Sequence, residues 1–188
     1  YQPDYGLQPY NCQSLNNRII FSFLYEPLFA VTDGYEAEPI LAESYLVTDD
    51  GKTTTVKLRS GVTFHDGTAM TAADAAYSIA SAMGSEYYGS RLRFIIEAQA
   101  QDDLTLVLAT SEAYECLPLL LDIPIIKAGT KDDASPMGTG PYAFADTKLV
   151  RCQNWWQDSE PLADFDEIAL TVSSTAADVR DNFEYQKV

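Results

Sequence analysis

The segment Ala42–Thr68, AESYLVTDDGKTTTVKLRSGVTFHDGT, limits what this chain can fold into more than any other stretch. Residues Glu43 to Thr48 alternate weakly between apolar and polar, Asp49-Asp50-Gly51 supplies a tight turn, and Thr53 to Leu58 is β-branched on a period of two. That spells a β-hairpin. Gly61 and the corner His65-Asp66-Gly67 break the pattern again, because glycine accepts the positive φ that such turns demand. Thr71-Ala72-Ala73-Asp74 then reads as a capping-box helix start with Asp in place of the usual Glu or Gln.

The remaining elements follow from the same rules. Ser14 or Asn16 caps a helix to about Leu24, with Ile19, Ile20, Phe23 and Leu24 on its apolar face. Thr71 to Met83 is a helix that packs through Ala75, Ile79 and Ala82 or Met83 and ends at Gly84. Phe94 to Ala100 and Leu104 to Thr110 form a hairpin across Asp102-Asp103. Tyr114 to Leu121 reads as a short apolar helix kinked at Pro118, and Ile123 to Ile126 as extended chain. Pro136 to Pro141 is a turn-rich crossing, followed by strands near Tyr142 to Cys152 and Ile168 to Ser173. A last helix starts at Ser174 or Thr175.

The letters of these segments are more specific than their order. The run from Ala42 through Asp74 resembles the hallmark of the family 5 extracellular solute-binding proteins, the peptide- and nickel-type receptors of ABC importers. Leu24-Tyr25-Glu26-Pro27-Leu28-Phe29 is similar to that family's "YEPL" helix end, and Met137 to Tyr142 to its "GTGPY" turn. Arg151 to Pro161, RCQNWWQDSEP, is similar to its "R-N-x-x-Y-W-x-x-x-P" segment, with Trp155 where Tyr is usual.

The resemblance implies an α/β fold: a periplasmic-binding-protein-like lobe of type II, with a mixed β-sheet flanked by helices and the extra subdomain of peptide-binding members. Residues 1–37 and 127–188 are expected to belong to lobe I and 38–126 to its inserted subdomain. The second lobe, which would close on the ligand, is expected to lie outside this chain. So is any lipid anchor, since Cys12 follows Pro9-Tyr10-Asn11 rather than a lipobox. The implied setting is extracytoplasmic, periplasmic or lipid-anchored, with the permease subunits of an ABC transporter as partners.

Composition narrows the partners. A net charge of −16 with 12 Lys and Arg argues against nucleic acid and against docking on an anionic membrane. Three cysteines, Cys12, Cys116 and Cys152, have no metal-like spacing, and three free thiols are expected, with one disulfide plus a free thiol the alternative in an oxidising compartment. The only histidine, His65, reads as a general base or metal ligand beside Asp66, or as a turn residue bonding backbone; turn chemistry explains it unaided. Carboxylate pairs such as Asp49-Asp50 and Asp132-Asp133 sit in turns rather than across a cleft. No catalytic motif stands out, and neither enzyme chemistry nor a cofactor is expected.

A binding cleft needs apolar or aromatic walls and a few placed polar groups. Four segments that match cleft-facing regions of the family supply them. They are Asn16, Asn17, Tyr25 and Glu26; Tyr87, Tyr88 and Arg91; Asp122, Ile123 and Pro124; and Gly138, Thr139, Gly140 and Tyr142. Arg91 reads as a bidentate clamp for a ligand carboxylate, or as the partner of Glu86 or Glu97. Tyr25 and Tyr142 read as ligand contacts or as core with a satisfied hydroxyl. Trp155-Trp156 reads as a stacking platform or as packing near the outer surface of the lobe. The ligand implied is a peptide. A nickel chelate, haem or an oligosaccharide on the same scaffold is the alternative, as is a protein-interaction or sensor module.

Overall fold

The computed structural model describes residues 1–157, 165–173 and 175–185. It contains four α-helices and nine strands among them: α1 (Leu15–Leu24), β1 (Phe29–Val31), β2 (Ala37–Pro39), β3 (Ala42–Val47), β4 (Thr53–Leu58), α2 (Ala72–Met83), α3 (Gly89–Leu92), β5 (Ile95–Asp102), β6 (Thr105–Thr110), β7 (Tyr142–Ala145), β8 (Lys148–Arg151), β9 (Glu167–Ala169) and α4 (Ala176–Glu184).

The hairpin read from Ala42–Thr68 is present, with Tyr45 opposite Val56. Its turn is held by Asp50, whose carboxylate accepts bonds from the Thr48 hydroxyl and the Lys52 N–H (3.0 Å), and Gly51 takes φ +68°. On β4 the residues Thr54, Val56 and Leu58 are buried, the alternation that the β-branched run foretold. On β6 Leu106 and Leu108 meet them in the core. The strand order β3-β4-β6-β5 places β4 and β6 at the centre, and α2 crosses from β4 to β5 and packs against β5. The sheet and α2 thus lie inside the interval 38–126.

The mixed sheet of the sequence reading takes the form of three separate sheets, and every strand pair among the described residues is antiparallel. Short turns such as Asp102–Thr105 join neighbours directly, whereas a parallel pair needs a longer crossover.

Helix α2 starts as expected. Asp74 Oδ2 accepts from both the N–H (2.9 Å) and the hydroxyl (2.7 Å) of Thr71, and its Oδ1 accepts from Ala128 N–H (2.9 Å), tying a distant loop to the cap. Helix α1 is capped by Ser14, but its buried face is Asn17, Ile20, Phe21 and Leu24, while Ile19 is 69% exposed. The cause is Asn17. Its side chain bonds the Gln2 N–H (2.8 Å), the Gln2 carbonyl (2.7 Å) and the Gly6 carbonyl (2.8 Å), which turns that face of the helix toward the N-terminal segment.

Pro118 kinks no helix. It lies in the first turn of a 3-10 helix, Leu117–Leu120, where the N–H it lacks has no partner to lose. The strand expected over Ile168 to Ser173 is shorter and earlier, Glu167–Ala169. Thr175 caps α4, its N–H bonding Asp178 Oδ2 at 2.7 Å; the alternative cap Ser174 lies outside the described residues. All three cysteines are free.

The tightest point of the fold is the crossing of Gly138–Gly140 over the end of α1. A Cβ on Gly138 would stand 2.0 Å from the Leu24 carbonyl oxygen, and one on Gly140 2.4 Å from that of Phe23. The absent side chains allow Gly140 N–H to bond the Leu24 carbonyl at 3.0 Å. Because the obstacle is backbone, it cannot rotate away. Gly138→Ala should lower the unfolding free energy by roughly 3 kcal/mol or more, read by urea denaturation.

Candidate functional site

Two hollows compete for the role of site. The first, of about 400 Å³, is lined by His65, Asp66, Thr139, Gly140, Arg151 and Trp155 among others. It lies over the motif-rich crossing, and the motif residues there bond one another. His65 N–H bonds the Gly138 carbonyl (3.0 Å), and its Nε2 donates to the Gly140 carbonyl (3.2 Å). Asp66 pairs with Lys127. Just behind, Glu26 Oε2 accepts from the Thr139 hydroxyl and from Trp156 Nε1, both at 2.8 Å. Burial pushes the Glu26 carboxyl above the usual carboxylate range, and the bonds from Trp156 and Thr139 pull it back. Trp156 therefore reaches inward to a buried carboxylate.

The second hollow, of about 540 Å³, is different in kind. One wall is Tyr10 to Gln13, another the first turns of α1 with Leu15 and Arg18, and the third Gly84, Glu86 and Tyr87. Tyr10 is rigidly placed: its ring meets Tyr88 edge-on at 6.2 Å and its hydroxyl donates to the Pro124 carbonyl at 2.8 Å. Tyr87 is 59% exposed, and the Arg18 guanidinium sits over its ring, 3.6 Å from the centroid. Arg18 bonds the Cys12 carbonyl only at 3.5 Å, and no carboxylate among the described residues pairs with it. Glu86 is exposed and likewise has no ion-pair partner among them. Burial raises the Cys12 thiol, and it raises the Tyr88 hydroxyl against the pull of Arg18. The volume falls within the range of small-molecule sites. Aromatic walls, with charges that lack ion-pair partners among the described residues, make this hollow the candidate site.

The residues singled out from sequence are distributed unevenly around it. Tyr87 lines it, and Tyr88 lies just behind. Arg91 pairs with Asp122, so two of the expected ligand contacts are engaged with each other, and neither Glu86 nor Glu97 is its partner. Ile123 is wholly buried, and Pro124 bridges to Pro27. Tyr25 places its hydroxyl 2.8 Å from the Leu7 carbonyl and 3.2 Å from that of Pro136, and Tyr142 donates to the Phe165 carbonyl at 2.9 Å; both hydroxyls are satisfied internally. Asn17 is taken up by Gln2 and Gly6, whereas Asn16 is exposed on a separate shallow hollow beside Phe183.

Sequence reasoning missed Tyr10 to Gln13, Arg18 and Glu86. The one signal for Arg18 was a lone cation in an otherwise uncharged helix sequence, LNNRIIFSFL. No group of three His, Cys, Asp or Glu among the described residues is placed to hold a metal ion, and no helix among them is long and apolar enough to cross a membrane.

The model of the bacterial extracellular solute-binding proteins, family 5, middle region, matches residues 36–188, and the chain belongs to that family. Among curated relatives, the glutathione-binding protein GsiB of Escherichia coli (strain K12) is 29% identical over 177 residues, a match covering 84% of this chain and 34% of the relative. NikA from Brucella suis, solved in complex with Fe(III)-EDTA, superposes with a TM-score of 0.80 at 22% identity over 97% of this chain and 40% of that one. The oligopeptide-binding protein AppA from Bacillus subtilis, in complex with a nonapeptide, gives 0.73 at 20% identity over 98% and 40%. The chain thus spans about a third of the length of its curated relatives. These likenesses establish the α/β lobe of family 5 periplasmic binding proteins as its fold.

His65 makes the stability of the crossing pH-dependent. Burial lowers its folded pKa to about 4 from the ordinary 6.5, outweighing the Gly140 bond and Asp66, which act the other way. Between those values the unfolded chain binds more protons, so stability falls as the pH drops from 6.5 toward 4 and is regained as it rises. Asp66, held at about 2 chiefly by its bond from Lys127, acts only below its ordinary 3.8. His65→Gln should lose about 1 kcal/mol at neutral pH. The gap to wild type should close as the pH falls and reverse by about pH 4.5, as read by urea midpoints at both pH values.

Proposed function

We propose that this chain is the first-lobe portion of an extracytoplasmic solute receptor that serves an ABC importer, and that its ligand is a peptide or peptide-like molecule. The observation that carries the reading is the 540 Å³ hollow with its aromatic wall and the charges of Arg18 and Glu86, which have no ion-pair partner among the described residues. Family membership supports the receptor role. The name of GsiB, a glutathione-binding protein, and the nonapeptide held by AppA support the ligand class. In this reading Tyr87 touches the ligand. Tyr88, the Arg91–Asp122 pair and Pro124 hold the wall behind it, while Asn17, Tyr25, Glu26, Thr139 and the two glycines brace the lobe. Residues 1–37 and 127–188 form the lobe proper, and 38–126 its subdomain.

In this reading the hollow is one face of a larger cleft, as suits a chain that spans about a third of its curated relatives' length. One wall fixes a flexible ligand poorly, because the entropy lost on binding offsets most of the contact energy. A second lobe closing over the hollow would add contacts present only in the closed form, and the ligand can drive closure only through those contacts. Permease subunits would then recognise the closed form.

A thermal-shift panel of di- to pentapeptides, glutathione, nickel chelates, haem and oligosaccharides tests this on the full-length protein and on the 188-residue chain. At a hundredfold excess over Kd a ligand should stabilise the full-length protein by about 2.7 kcal/mol. Peptides or glutathione are expected to shift the full-length protein and hardly move the shorter chain. A shift by chelates, haem or sugars alone would replace the ligand class. No shift by any of them would favour an interaction module over a receptor.

A further inference from the structure

We infer that Arg18 is the specificity-determining anchor for a ligand carboxylate in this hollow, an inference that rests on the receptor reading above and names the chemistry it selects. Three observations converge on that side chain. It projects from α1 into the hollow and is half-buried, where a charge is poorly screened. Its guanidinium carbon sits over the Tyr87 ring, 3.6 Å from the centroid, which holds the charge against that wall. It meets the Cys12 carbonyl at 3.5 Å and the Tyr88 hydroxyl, and no carboxylate among the described residues.

A guanidinium has five N–H donors, and these two weak engagements leave an edge for bidentate recognition of a planar carboxylate. By contrast, Arg91, the other arginine near this wall, already holds Asp122. Glu86 lines the same hollow and suits the ammonium end of the ligand, so the class selected is a zwitterion with its carboxylate at α1. Glutathione, peptides and EDTA-type chelates, the ligands named for the relatives, all carry carboxylates. The net charge of −16 works against any anionic ligand, so a preference for the acid form requires a local cation.

Calorimetric titration of the full-length protein, in about 0.15 M salt to shorten long-range repulsion, with trialanine and trialanine amide tests the anchor. Wild type should bind the free acid about tenfold tighter than the amide, or more. Arg18→Gln should bring that ratio close to one, whatever it does to the affinity for the amide itself. Arg18→Lys, which keeps the charge and stem but loses the planar fork, should give up the ratio several-fold and covers the case in which the Gln variant folds poorly. If either variant keeps the wild-type ratio, the carboxylate sits elsewhere and the anchor is wrong, with the receptor reading intact. If neither form of the peptide binds wild type, the peptide-receptor reading falls and takes the anchor with it.

Discussion

Everything in this lobe hangs on the place where two backbones touch. Gly138–Gly140 passes so close to the last turn of α1 that no side chain fits between. The proximity places Thr139 against Glu26 and His65 against the Gly140 carbonyl. A buried carboxylate is tolerated there because Thr139 and Trp156 both donate to it; without them its desolvation would be uncompensated. The crossing fixes the end of α1, and α1 in turn fixes where Arg18 stands.

The same economy explains why the two hollows differ. Around the crossing, Glu26, Thr139, His65 and Asp66 find partners inside the chain. Around Arg18 and Glu86 the charges have no ion-pair partner among the described residues, and a half-exposed site can carry them because water serves them. A cation over an aromatic ring, with no carboxylate partner among the described residues, stands out all the more in a chain with 28 acidic residues and 12 basic ones.

Tyr10 links the candidate site to the frame behind it. Its ring packs on Tyr88, and its hydroxyl holds the Pro124 carbonyl, next to the Asp122 that pairs with Arg91. Three segments far apart in sequence are thereby joined behind α1. The family's middle region begins at residue 36, so the wall draws on chain both before and within it. Helix α1 and the Tyr10 segment come from before; Tyr87 and Pro124 come from within.

Local chemistry was legible without coordinates. The Ala42–Thr68 hairpin, the Thr71–Asp74 cap and the hairpin across Asp102-Asp103 could all be read, because turn glycines, capping side chains and period-two alternation act within a few residues. The glycine crossing was legible as well, since two glycines spaced by one residue and flanked by prolines mark a turn where backbone passes close to backbone. Long-range pairing was not. Nothing in the letters says that Arg91 meets Asp122, that Asn17 rather than Ile19 faces inward, or that Trp156 reaches Glu26. Those partners lie up to 130 residues apart and depend on how the sheets stack. The sequence by itself therefore determined the main hairpins, the capped helices and the family. Only the tertiary structure decided which charged side chains are used up inside the lobe and which, like Arg18, line an open hollow.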